Sequence, residues 1–289
     1  MKNNLKIIRF FFSFGCFIFI SIPVVLFLRV VLGMDLDGNN ANDLILVDTI
    51  YSAILVGIMI FVYFDKLKSS AKKIKELGGE NFTKKVIISG LILFVVKIGA
   101  GLVVALLSTI LGLESTSVEN QELVEEMLKS APLVMMISVA IFAPITEELV
   151  FRAGIKDVIK NKKVFIAVSG LIFGLMHVTD SVVFLMEILL IGIVINQIIS
   201  DEKKSKGMKV ALSVTALVLI LMLFTSVYMF EFGNLIVKLK SLNLVEVVGS
   251  ITYVTMGMYL AKLYTEDENI LYTISVHAFN NFVSVLLIM

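Results

Sequence analysis

Nine apolar runs punctuate the chain, at residues 7–31, 44–64, 86–113, 132–151, 164–178, 182–199, 210–230, 245–264 and 270–289. Most reach the roughly 18–20 residues that a helix needs to cross the hydrocarbon layer, and 164–178 is the short one. None alternates apolar with polar positions as a barrel strand must. Backbone amides facing lipid have to be satisfied within their own segment, so each run is expected to be a helix. The pattern therefore predicts an all-α, polytopic membrane helix bundle of about eight or nine transmembrane helices. Lys2, Lys6 and Arg9 precede the first run. No small-residue cleavage site closes that run, so it is read as a retained span.

The segments between the runs set the expected orientation. Residues 65–85 carry seven lysines against three acids, and 152–163 carry five basic residues against one acid. Residues 114–130 carry five glutamates and one lysine. The positive-inside rule puts the N-terminus and the two basic loops in the cytoplasm and the acidic loop outside. The expected location is the cell membrane, as a multi-pass protein. Residues 201–209, with four lysines, also read as cytoplasmic, while charge does not fix the direction of the last spans.

Composition agrees with this reading. Of 289 residues, 58% are hydrophobic and 17% are charged, well below the charged share of soluble domains. Lysine and arginine (25) nearly balance aspartate and glutamate (24), which leaves no excess of charge to recruit nucleic acid. A single cysteine, Cys16, excludes an intramolecular disulfide framework and a cysteine-based metal cluster.

Ionisable groups inside apolar runs are costly, so each invites an explanation. Arg29, near a span end, is expected to snorkel to the headgroups. Lys97, in mid-span, is expected to pair with an acid. Asp48, Glu187, Asn196 and Glu246 are expected to make hydrogen bonds between helices.

Three further groups stand apart. In Ala143-Pro144-Ile145-Thr146-Glu147-Glu148-Leu149-Val150-Phe151-Arg152, two carboxylates sit side by side at the end of an apolar run. Glu148 and Arg152 share a helix face at a spacing of four, and Glu147 points about 100° away. Pro144 removes a donor and is expected to free the carbonyl of Ala140. His177 follows Gly170 and Gly174 on one small-residue face that permits close helix contact. If the chain turns near Lys162, Glu147 and His177 each lie fifteen residues from the turn, both at a depth of about 22 Å. His277 and Asn281, four apart, share a face in the last run. Both histidines of the protein thus lie inside apolar segments, each with a second polar or small-residue signal beside it.

The three elements Glu147-Glu148-x-x-x-Arg152, Phe173-x-x-x-His177 and His277-x-x-x-Asn281 resemble the motifs of the CPBP (Abi) family. These are the CAAX prenyl protease 2-like, Ras-converting-enzyme-type intramembrane endopeptidases. The resemblance covers about 131–178 and 247–289, and 259–264 looks like the family's penultimate helix. It departs from the family in its long interval between His177 and His277, read as a two-helix insertion at about 181–241. It also has three N-terminal spans, in residues 1–130, without a family motif. Residues 131–289 would form the catalytic membrane domain.

The resemblance implies hydrolysis of a peptide bond in a membrane-embedded or lipid-anchored substrate. Glu147 would activate water, His177 would help to position it, and His277 with Asn281 would stabilise the oxyanion. Glu148 and Arg152 would support the helix end. A cofactor is not expected, and zinc remains an alternative. A proteolytically inactive scaffold or bacteriocin-immunity factor and a proton-coupled transporter are the competing functions.

Overall fold

The structure, a computed structural model, describes residues 2–36, 40–113, 119–177, 213 and 244–288. The two-helix insertion expected at about 181–241, with its runs at 182–199 and 210–230 and with Glu187 and Asn196, lies outside the described residues apart from Ser213. The described helices are α1 (Lys2–Phe19), α2 (Ser21–Leu26, extended by a π turn at Phe27–Val31), α3 (Ala41–Val62), α4 (Phe64–Leu77) and α5 (Gly79–Leu111). They continue with α6 (Glu119–Ser130), α7 (Pro132–Val158), α8 (Lys162–Leu175), α9 (Leu244–Asp267) and α10 (Ile270–Ile288). No strand occurs among the described residues, so the all-α membrane bundle stands. Five helices there are long and apolar enough to cross a membrane, or six if the bent pair Leu5–Phe19 and Ser21–Val31 is one span.

Several boundaries differ from the sequence pattern, each for a local reason. The first run is bent by 45° at its break and does not form one straight span. The basic segment 65–85 holds α4 and the start of α5, and the acidic segment holds α6, because both are amphipathic at helical period. The run ending at Phe151 continues as helix to Val158. The hairpin turn is therefore at 159–161, where the Asn161 side chain accepts from the amides of Lys163 and Val164 and caps α8. Lys97 Nζ donates to Ser284 Oγ on α10, so its partner is a hydroxyl and not the expected acid. Arg29 reaches back to the carbonyl of Leu36.

The bundle has an inner and an outer set of helices. In the apolar windows of α7, α9 and α10, 44% of residues are buried, against 17% in α3 and 22% in α5. The outer face of α5 exposes Ile88, Leu91, Val95, Leu102 and Leu106, as a lipid-facing helix does. At the centre, Phe151 of α7 receives edge-on contacts from Phe14 and Phe17 of α1 and from Phe173 of α8, with ring centroids 6.2, 5.2 and 5.7 Å away. Such geometry matches the quadrupoles of aromatic pairs. The first helix, which carries no motif, thus packs directly on the motif-bearing α7.

Helices α8 and α9 approach at backbone distance. A Cβ added at Gly174 would lie 2.7 Å from the amide nitrogen of Val254, and one at Gly170 2.8 Å from that of Met258. Gly257 presses back against Gly170 and Phe173. The small-residue face expected on α8 is therefore a helix contact.

This contact yields a direct test. Gly174→Ala has to separate two backbones and should destabilise the protein by about 1–3 kcal/mol in detergent unfolding. Gly101→Ala on α5 meets nothing within 4 Å and should be neutral or slightly stabilising. Equal melting of the two variants would contradict the close contact.

Candidate active site

The site is built on α7, whose ladder is interrupted twice by π turns, at Ser138–Phe142 and at Leu149–Gly154. The first follows from Pro144. In the π turn the amide of Ala143 bonds to the carbonyl of Ser138. The next nitrogen belongs to Pro144 and has no hydrogen, so the carbonyl of Val139 loses its ordinary partner. Asn281 Nδ2 of α10 donates to that carbonyl at 2.9 Å. The carbonyl captured is thus Val139 and not the expected Ala140. Asn280, beside it and buried, donates to Asn281 Oδ1 at 3.1 Å, which fixes the orientation of the amide.

The second π turn carries Arg152. Its guanidinium and the Glu148 carboxylate are both fully buried, with Nε to Oε2 at 3.1 Å. The region expected to begin a loop is here a buried helical segment. Arg152 also donates to Ser169 Oγ at 3.0 Å, and Ser169 in turn donates to the carbonyl of Phe151 at 2.8 Å. The guanidinium lies 4.8 Å from the centroid of Phe173. One buried charge pair thereby ties α7 to α8.

Glu148 also faces α10. His277 Nδ1 lies 3.1 Å from Glu148 Oε1. A carboxylate paired with arginine accepts only, so this ring nitrogen carries the hydrogen. The other nitrogen, Nε2, is 3.8 Å from Glu147 Oε2. Glu147 keeps 13% of its side chain exposed where Glu148 has none, so the two adjacent carboxylates occupy different environments.

His177 sits just beyond α8 and stacks on Tyr253 of α9, with centroids 4.5 Å apart and planes at 15°. Its Nδ1 lies 2.7 Å from the carbonyl of Phe173. A carbonyl can only accept, so Nδ1 donates and the neutral ring leaves Nε2 as an acceptor. Phe173 contacts both imidazoles, at 4.6 Å from His177 and 5.8 Å from His277. His177 is also within electrostatic reach of Glu147, His277 and Arg152.

Glu147, Glu148, Arg152 and His277 are thus in direct contact range. His177 joins them across Phe173, and Asn281 is anchored one π turn earlier on α7. Residues not singled out by sequence also build the site: Ser169, Asn280, Tyr253 and Gln121. The Tyr253 hydroxyl donates to Gln121 Oε1 of α6 at 3.1 Å, which links the site to the amphipathic outer helix. Tyr253 had one available signal. It lies midway between Gly249 and Gly257, four residues from each, on the small-residue face that meets α8.

A zinc ion asks for at least three protein ligands at about 2 Å. Among the described residues, no group of three His, Cys, Asp or Glu side chains is arranged to hold a metal ion. Glu148 is already committed to Arg152 and His277, and each histidine has one nitrogen engaged. The Nε2 atoms of His177 and His277 and the Glu147 carboxylate are the donors that would hold a zinc ion, since an engaged Nδ1 leaves the other ring nitrogen available.

No curated protein and no solved structure matches the chain. Residues 129–205 do match the family model described as Type II CAAX prenyl endopeptidase Rce1-like. That segment holds Glu147, Glu148, Arg152 and His177, while the His277–Asn281 motif lies beyond it and meets it through the contacts above. Over residues 129–205, which carry two of the three motifs, the chain is therefore similar to the Rce1-like type II CAAX prenyl endopeptidases, in line with the resemblance of those motifs.

Proposed function

We propose that the protein cuts a peptide bond of a membrane-tethered or strongly apolar substrate, with Glu147 as the general base. The observation that carries this reading is the inequality of the adjacent carboxylates. Glu148 is held by Arg152 and His277, and Glu147 is left at the partly open edge, facing His277 Nε2 at 3.8 Å. That distance is long for a direct hydrogen bond and suits a water bridging both atoms at about 2.8 Å each.

The chemistry then follows from donors and acceptors. The Nε2 lone pair of His177 accepts a hydrogen of the water and orients it. Glu147 takes the other proton as the water oxygen bonds to the peptide carbonyl carbon. The carbonyl electron pair moves onto oxygen and forms a tetrahedral oxyanion. An imidazolium at 277 donates from both nitrogens, one to Glu148 and one towards that oxygen. Asn281 has a second amide hydrogen besides the one given to Val139, and it serves the same anion. Collapse of the intermediate breaks the C–N bond, and the proton on Glu147 passes to the departing amine.

Access is lateral. The helix rise puts Glu147 about 18 Å above the 159–161 turn. Gln121 of α6 closes over Tyr253 beyond the site. A substrate already in the bilayer reaches such a site between helices. Among the described residues no feature selects a prenyl group, and the substrate class proposed is a membrane-anchored peptide in general.

Two outcomes test this reading. Glu147→Gln keeps shape and should lower cleavage by about 10²–10⁴-fold while the protein inserts and melts normally. Glu148→Gln should lower the melting temperature as well as turnover, because it strands the buried guanidinium. Near-normal cleavage by Glu147→Gln would remove the base assignment. The membrane-peptide profile of cells bearing wild-type protein, compared with Glu147→Gln, should show at least one peptide accumulating uncut in the variant. Identical profiles across growth conditions would favour a non-proteolytic scaffold.

A further inference from the structure

Away from the catalytic cluster, the basic ends of α1, α4 and α7 and the turn after α9 enclose a cavity of about 400 Å³. Lys6, Lys66, Lys73, Lys156 and Lys160 line it against only two acids, Asp157 and Glu268. Asp157 is not free to neutralise this excess. Its carboxylate is buried and already contacted by Arg9, by Lys66 at 3.2 Å and by Lys6 at 3.8 Å. Glu268 is the acid at the other wall.

The remaining ammonium groups are held in place by carbonyl oxygens. Lys73 Nζ donates to the carbonyls of Asp267 and Glu268, at 2.7 and 3.1 Å. Lys156 Nζ donates to the carbonyl of Lys160, and Lys160 Nζ donates to those of Asp157 and Lys156. An ammonium has three hydrogens, so Lys73 and Lys156 each keep donors for a further acceptor. Ser69 adds a hydroxyl to the wall.

Three like charges, Lys6, Lys66 and Lys156, crowd Lys160 and repel it unless an anion sits among them. Desolvation and the neighbouring Lys6, Lys66 and Lys156 together hold the Lys160 ammonium below its usual range, against the opposing pull of Asp157. A structural role for Asp157 alone would need one or two cations; Arg9 and Lys66 already supply them.

We infer that this cavity is a binding site for a phosphate-bearing anion, the headgroup of an anionic phospholipid. Basic pockets between membrane helices near the bilayer surface recognise such headgroups by charge and by donor count. The site would bind one headgroup at the junction of α1, α4 and the α7–α8 turn, about 15 Å along α7 from Glu147. It needs no assumption about proteolysis. Free inorganic phosphate has the same chemistry and is the second source to distinguish.

The test uses the full-length protein purified in neutral detergent. Native mass spectrometry and thermal unfolding are followed while phosphatidylglycerol, phosphatidylcholine or inorganic phosphate is added. One phosphatidylglycerol should be retained and should raise the melting temperature, and phosphatidylcholine should do neither. Lys156→Gln/Lys160→Gln spares the pairs on Asp157 from Lys6, Lys66 and Arg9, and should weaken that binding at least fivefold. Lys68→Gln/Lys72→Gln removes the same charge from the exposed face of α4 and should leave binding unchanged. Saturable stabilisation by inorganic phosphate alone, lost in the first variant, would support the site and assign it to the free ion. Undiminished phosphatidylglycerol binding by Lys156→Gln/Lys160→Gln, equal loss in the control variant, or equal binding of phosphatidylcholine would overturn the proposal.

Discussion

Two full charges with no access to water, Glu148 and Arg152, have to be compensated where they stand, and the rest of the site is arranged around that requirement. Removing a charged pair from water costs several kcal/mol per ion, recovered only with good geometry and further hydrogen bonds. Arg152 therefore recruits Ser169 and the face of Phe173 from α8, and Glu148 recruits His277 from α10. Three helices are brought to one point by the need to satisfy two side chains four residues apart. What remains uncommitted is Glu147, and the reading of the protein as a hydrolase depends on that division between neighbours.

The backbone of α7 makes a second contribution. A regular α-ladder would consume the Val139 carbonyl. The π turn and Pro144 release it, and Asn281 docks there. The same event that weakens the helix therefore fixes α10 in register with α7 through the Asn281 amide. Helix α9 takes part through bulk and not through charge: glycines at 170, 174 and 257 let it approach α8 closely enough for Tyr253 to stack on His177.

Much of this was legible in the residues themselves, for physical reasons. The Glu148–Arg152 pair and the Gly170–Gly174 face follow from helical spacing alone, and both appear as contacts. The apolar runs announced a helical bundle because lipid leaves the backbone no other solution. What sequence spacing missed was of another kind. The hairpin turn lies at 159–161, close to the expected Lys162, but the helix before it runs on to Val158, because Asp157, which reads as a loop charge, is buried by partners far away in sequence. Arg9 and Lys66 cover Asp157 from α1 and α4, and no local pattern encodes that. The amphipathic period of α4 and α6 is present in the sequence, but their density of charge gives them the character of loops. Proline alone predicts a freed carbonyl at Ala140, and the π turn, which no local pattern announces, moves it one residue back to Val139.

The buried Glu148–Arg152 pair acts as one unit, and a double-mutant cycle measures that most directly. Unfolding in mixed detergent would be followed for Arg152→Met, Glu148→Gln and the double variant. Arg152→Met strands a buried carboxylate and should cost about 3–5 kcal/mol. The double variant should be more stable than Arg152→Met, with a coupling of about 1–3 kcal/mol between the two sites. Additivity of the two single losses, to within about 0.5 kcal/mol, would contradict the account.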